Sequence, residues 1–274
     1  MIISRWLGVF ALVPLTVALG VADDKPAEPV APKEVIKLFN GKDMTGLYTW
    51  LKKTKREDPQ KVFTVHDGMI HASGQDMGYI ATDKEYKDYH LVVEYKWGKY
   101  TGGDKYVRNS GVLLHGTGVD GGNGGVWMSS FECQLAQGCN GDVIMIGGKT
   151  DKGEAIKMTM SAETELAPDK RRVRWKKGGE IKTWPPAKGQ LWWNKHDWDF
   201  KELIDTRGKD DVESPLGEWT KVECICDARR ITIKINGQVV NECYDVTPAA
   251  GKILLQSEGH EVYFKNFELH PLKK

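Results

Sequence analysis

Glu132 and Gln134 are the side chains whose type and spacing first suggest chemistry. They lie in Phe131-Glu132-Cys133-Gln134-Leu135, where apolar and polar residues alternate. An extended backbone then puts Phe131, Cys133 and Leu135 on one face and the polar pair on the other. If the apolar face lies between two sheets, the pair projects from an outer face, which in a curved sandwich can be a concave cleft. A second segment, Asn109-Ser110-Gly111-Val112-Leu113-Leu114-His115, sets Gly111 and His115 on one face and Val112 and Leu114 on the other. Gly111 lets a ligand approach the backbone closely, and His115 can exchange a proton near neutral pH. A single histidine at a strand end is more often only solvated, and whether the two strands are neighbours is a matter of tertiary structure.

Two other features invite a functional reading. The run Gly118 to Gly125 around Asp120 imitates a phosphate or calcium loop, but it lacks the Lys-Ser/Thr ending of the first and the ligand spacing and terminal Glu of the second. It reads as a rim loop, with a structural calcium on Asp120 and backbone oxygens as the alternative and no cofactor expected. Between Gly147 and Gly217 the strand pattern loosens into Pro185-Pro186 and a cluster of Trp184, Trp192, Trp193 and Trp198. Trp192 and Trp193 either offer flat platforms to sugar rings or pack the 148–216 insertion onto the body of the protein.

Positioning these residues falls to short alternating segments bounded by Gly, Asn and Asp, the pattern of antiparallel strands with one buried face. Long amphipathic helices are missing. The clearest hairpin is Ile231, Ile233 and Ile235 alternating with Thr232 and Lys234, then Asn236-Gly237, a pair suited to the positive φ values of a type I′ turn. So many strands need two stacked sheets or a closed barrel to cover their apolar faces. The expectation is an all-β, single-domain jelly-roll sandwich over residues 35–272.

The N-terminus has the form of a secretory signal. Arg5 precedes an uncharged run from Trp6 to Val21, and Gly20 and Ala22 supply small residues for cleavage after Ala22. The run is shorter than the ~20 residues of a membrane span and contains Pro14, so no stable span is expected in the mature chain. Residues 23–34, rich in Pro, Ala and charge, read as a flexible linker. Loss of Arg5 takes the formal charge from +1 to about zero, which offers nothing to attract nucleic acid or anionic lipid. Of the five cysteines, Cys133 and Cys139 could close a short loop, whereas Cys224, Cys226 and Cys243 read as buried small hydrophobes.

Several pieces recur in order along the chain: Leu38-Phe39-Asn40-Gly41-Lys42-Asp43, Asn109-Ser110-Gly111, Glu132-Cys133-Gln134-Leu135, Gly141-Asp142, Gly217-Glu218-Trp219, Ile235-Asn236-Gly237, Leu255-Gln256-Ser257-Glu258-Gly259 and Val262-Tyr263-Phe264-Lys265-Asn266-Phe267. Together they resemble the 3-keto-disaccharide hydrolase domain, a concanavalin-like and laminin-G-like jelly roll. The resemblance spans Val35 to Leu272. The chain departs from the family where Lys265 and His115 stand, both positions at which Arg is common, and the 148–216 insertion matches loosely.

The resemblance implies an exported bacterial protein, periplasmic or extracellular, whose partner is a carbohydrate and which cleaves glycosides carrying a ketone at C3. Ordinary glycoside hydrolysis uses two carboxyl groups, and the Glu132 strand continues with Gln134 and Ala136, so it supplies only one. A C3 ketone acidifies the hydrogen on C2, so that one base and an oxyanion stabiliser suffice for elimination of the glycosidic oxygen. On that basis Glu132 is the expected base. His115 or Lys265 polarises the ketone or protonates the leaving oxygen, and Asn109, Gln134, Gln256 and Glu258 bind hydroxyls. The rival reading is a non-catalytic, lectin-like module on the same scaffold.

Overall fold

The structure is a computed structural model that describes residues 27–103, 105–184 and 189–273. The signal segment 1–22, the start of the 23–34 linker and Pro185-Pro186 lie outside the described residues. Regular structure among them is entirely β: β1 (Ile36–Lys37), β2 (Leu47–Leu51), β3 (Phe63–His66), β4 (Met69–Ala72), β5 (Gly78–Thr82), β6 (Tyr89–Trp97), β7 (Asn109–Thr117), β8 (Ser129–Ala136), β9 (Val143–Ile146), β10 (Thr159–Leu166), β11 (Val173–Trp175), β12 (Glu180–Trp184), β13 (Gly189–Leu191), β14 (Thr220–Asp227), β15 (Arg230–Ile235), β16 (Gln238–Thr247), β17 (Lys252–Ser257) and β18 (Val262–Pro271). No described helix is long and apolar enough to cross a membrane.

The strands form two antiparallel sheets. The smaller has the order β13-β9-β8-β7-β17-β5-β2, and the larger runs β11-β10-β16-β15-β14-β6-β18-β4-β3, with β1 on β18 and β12 on β10. The chain passes back and forth between the sheets, which is the jelly-roll sandwich. Alternation drives it: Tyr89, Leu91, Val93, Tyr95 and Trp97 of β6 face Phe131, Cys133 and Leu135 of β8 and Val112 and Leu114 of β7 in one continuous core. The hairpin at Asn236-Gly237 has φ values of 48° and 80°, both positive as its turn requires. The 148–216 segment is more ordered than its sequence pattern suggests, since β10 to β13 lie within it and extend the edges of both sheets.

Two irregularities bear on function. Pairing of β7 with β8 slips between Leu114 and Thr117, where His115 has φ 56°, and pairing of β18 with β6 slips between Lys265 and Glu268, where Asn266 has φ 52°. Each bulge reverses which side chains face inward. All five cysteines are free and buried. Cys133 faces the core, whereas Cys139 joins Val107 and Ala136 in a separate cluster, so the short disulfide that the sequence permits does not form.

Candidate functional site

The outer face of the smaller sheet carries a compact polar group centred on Gly111. In register across the sheet, Gln134 on β8 pairs with Gly111 on β7, Gln256 on β17 pairs with Tyr79 on β5, and Tyr79 pairs with Trp50 on β2. Glu132 stands one step along β8 from Gln134. A Cβ on Gly111 would lie 2.3 Å from Gln256 Oε1 and 2.4 Å from Glu132 Oε1, so glycine is what lets the amide and the carboxyl converge over the backbone. Glu132 and Gln256 are only 5% and 1% exposed, while Asn109, Gln134 and Glu258 are half-buried at the mouth.

Four oxygens of this group, Asn109 Oδ1, Glu132 Oε1, Gln134 Oε1 and Gln256 Oε1, are buried without a hydrogen-bond partner. Each such atom costs about 1–3 kcal/mol, and four on one face form a set of acceptors that a ligand's hydroxyls can satisfy. Burial lifts the Glu132 carboxyl well above the usual carboxylate range, and the charge of Glu258 lifts it further, against a hydrogen bond from Gln256. Burial also pushes Glu258 up to about 7. Two carboxyls that interact this way titrate as a pair, and the deeper one keeps the proton longer. A third buried carboxyl, Asp142, is pushed by burial up to about 8, opposed by hydrogen bonds from Gln190 Nε2 at 2.9 Å and Trp193 N–H at 2.8 Å.

A family model for the 3-keto-alpha-glucoside-1,2-lyase-like domain matches residues 34–270. The chain belongs to this family. Membership makes it a carbohydrate-active enzyme or a module that binds carbohydrate. A candidate glycosyl hydrolase from Parabacteroides distasonis ATCC 8503 shares the fold, at 18% identity and a TM-score of 0.51 over 88% of this chain and 94% of that one. The carbohydrate-binding module CBM66 from Bacillus subtilis gives 9% identity and a TM-score of 0.44 over 81% and 94%, and the Bacillus licheniformis β-glucanase gives 11% and 0.41 over 86% and 97%. No curated protein matches this chain.

Within this lyase-like domain, several residues singled out from sequence fall outside the cleft. His115 does not share the face of Gly111: the bulge in β7 turns it into the core, where Nδ1 lies 3.0 Å from the Pro248 carbonyl and the ring meets Tyr89 and Phe131 edge-on. Burial holds its pKa down at about 4, so it is neutral near pH 7. Lys265 belongs to the other sheet, paired with Glu94 at 3.2 Å and lying 4.1 Å from the Trp219 ring centroid. Trp193 is buried in the core, its Nε1–H donating to the Gly138 carbonyl at 3.1 Å, and is no platform for a sugar. Trp192 is half-buried, packed on the Val107–Ala136–Cys139 cluster and, at 4.1 Å between centroids, on His196.

Asp120 is already engaged. It accepts hydrogen bonds from Tyr48 Oη at 2.9 Å, Tyr79 Oη at 2.7 Å and Arg56 Nη2 at 2.5 Å. Both carboxylate oxygens therefore meet donors, an environment unlike that of a calcium ligand. Among the described residues no group of three or more His, Cys, Asp and Glu is placed to hold a metal ion. The bonds to Asp120 pin the rim loop beside a surface that sequence reading missed: Trp50, Tyr48 and Trp127 pack on Tyr79, Leu113 and Leu254 along the same outer face. The signal was present in Leu47-Tyr48-Thr49-Trp50-Leu51, whose alternation sends Tyr48 and Trp50 outward.

Proposed function

We propose that this protein is an exported enzyme that cleaves 3-keto glycosides by elimination at the Gly111 cleft. The observation that carries the reading is the pair of raised carboxyls, Glu132 and Glu258, among buried oxygens with no partner of their own. Glu132 is the more deeply buried of the two, so the proton of the singly protonated pair resides on it. This differs from the roles expected from sequence, in which Glu132 is the base, Glu258 a hydroxyl ligand and His115 or Lys265 the acid. Glu258 is the carboxylate that removes the C2 hydrogen, and Glu132 is the acid that protonates the glycosidic oxygen as the C1–O bond breaks. The C2–H electron pair becomes a C1=C2 double bond conjugated to the C3 ketone, and the leaving alcohol departs neutral. Water added at C1 then gives the free 3-keto sugar. The amides of Gln134 and Gln256 serve as donors to the enolate oxygen, the task that His115 and Lys265 are too remote to perform. Trp50, half-buried and joined to Gln256 through the buried Tyr79, offers flat apolar surface to a sugar ring.

The test is turnover on a 3-keto disaccharide and on a 3-keto glucoside with a p-nitrophenolate leaving group. Glu258→Gln lowers turnover on both by about a thousandfold, as expected for loss of a general base. Glu132→Gln is slow on the disaccharide and recovers on the aryl glycoside, whose leaving group needs no acid. Equal losses on the two substrates would refute the acid role. Binding of the disaccharide by the wild-type chain without cleavage would favour a binding module.

A further inference from the structure

The outer face of the larger sheet, opposite the Gly111 cleft, carries a groove of about 720 Å³. Its floor holds Tyr263 on β18 and Lys96 on β6, which lie in register; His71 on β4 flanks Tyr263 in the same cross-strand row, and Trp219, next to β14, lies beneath the Lys96 ammonium. Met69, Leu216 and Lys99 complete the walls. Tyr263 is held rigidly: its ring stacks on His71 with centroids 4.6 Å apart, and its hydroxyl donates to Glu261 Oε1 at 2.8 Å. Glu261 is itself saturated, with Lys99 N–H and Tyr100 N–H donating to Oε2 at 2.7 and 2.9 Å and His71 Nε2 2.9 Å from Oε1. Gly98 makes room for this carboxylate, since a Cβ there would lie 2.3 Å from Glu261 Cδ.

The cations of the groove are less complete. Lys96 Nζ lies 4.9 Å from the Trp219 ring centroid and 5.9 Å from that of Tyr263, and it forms no ion pair with a described residue. Lys265, one step along the same face, is neutralised by Glu94. A rigid tyrosine ring beside an ammonium that has no ion pair among the described residues has the chemistry of acidic-sugar recognition. The C–H face of the ring lies on the aromatic surface while its carboxylate takes charge-assisted hydrogen bonds.

We propose that this groove binds a carboxylate-bearing saccharide, separately from the Gly111 cleft. Lys96, braced on the Trp219 ring, takes the carboxylate, Tyr263 takes the ring, and Lys99 supplies a second positive charge at the rim. The site does not depend on the elimination reaction.

Calorimetric titration of the full chain with tetragalacturonate and with neutral cellotetraose tests it. Tetragalacturonate is expected to bind, more weakly as salt rises, and cellotetraose to bind at least tenfold more weakly. Lys96→Gln should reduce tetragalacturonate affinity about tenfold, the size of one charge-assisted contact, while Glu132→Gln leaves it unchanged. The proposal is overturned by no binding of tetragalacturonate, by equal binding of the neutral tetramer, by an unaltered Lys96→Gln variant, or by loss of binding in Glu132→Gln. Thermal melts monitor folding, and Lys99→Gln at the rim gives a second reading if Lys96→Gln is unstable.

Discussion

Glu132 and Glu261 occupy the outer faces of the two sheets, and burial acts on both in the same direction. Their carboxyls nevertheless move apart. Burial and the charge of Glu258 raise Glu132. At Glu261 burial also favours the neutral acid, but hydrogen bonds from Tyr100 N–H, Tyr263 Oη, His71 and Lys99 N–H overrule it and hold the group at about 2. A carboxylate surrounded by donors is a fixed charge that braces its neighbours. One left with an unpaired oxygen at the bottom of a slot keeps a proton to give away. The same residue type is thus scaffold on one face and, in the proposed reaction, reagent on the other, and the number of donors around it makes the difference.

The sharpest way to break this contrast is to fill the slot. Gly111→Ala places a methyl against Glu132 Oε1 and Gln256 Oε1, so turnover on a 3-keto disaccharide should fall a hundredfold or more. Tetragalacturonate binding on the opposite face should stay intact. An active Gly111→Ala enzyme would move the chemistry elsewhere.

A smaller effect concerns pH. Asp142, near 3.9 in an unfolded chain, is pushed up to about 8 in the fold. Between those values the folded chain holds a proton that the unfolded chain has released, so this group's stabilising contribution declines as pH rises from about 4 to 8. Urea unfolding of the wild type and of Asp142→Asn across that window should show a shallower decline in the variant. Identical slopes would mean that Asp142 is ionised in the fold.

His115→Ala should cost about 2–3 kcal/mol through the cavity left against Tyr89 and Phe131, while the folded fraction keeps its turnover per site. A selective loss of turnover with unchanged stability would return His115 to the cleft. Least of all, Lys265→Ala removes a partly exposed pair with Glu94. It should shift stability by about 0.5–1 kcal/mol and turnover by less than twofold, measured by the same unfolding and activity assays.

The errors in reading the site from sequence have one physical origin. Period-two alternation assigns faces correctly along an unbroken strand, which is why Glu132, Gln134 and Gly111 fall together. His115 lies beyond a bulge that sequence does not announce, and one extra residue reverses every side chain that follows. Lys265 was assigned to the site through its family motif, which carries no information about which sheet the strand joins. Trp193 shows the same limit, since platform and core tryptophan look alike until a neighbour covers one face. The second carboxyl was visible as a residue in Gln256-Ser257-Glu258, but its approach to Glu132 passes through β7, between strands more than a hundred residues apart in the chain.

What the amino-acid sequence determined by itself was the local grammar: alternating strands, the Asn236-Gly237 turn, the family to which the chain belongs, and the outward direction of Glu132 and Gln134. Those follow from backbone geometry over a few residues. The tertiary structure alone decided which carboxyls are desolvated together, which aromatic rings are covered, and which lysine of the larger sheet's outer face is left without an ion pair among the described residues. Each of these depends on desolvation and on the number of donors nearby, and both are set by strands brought together from distant parts of the chain.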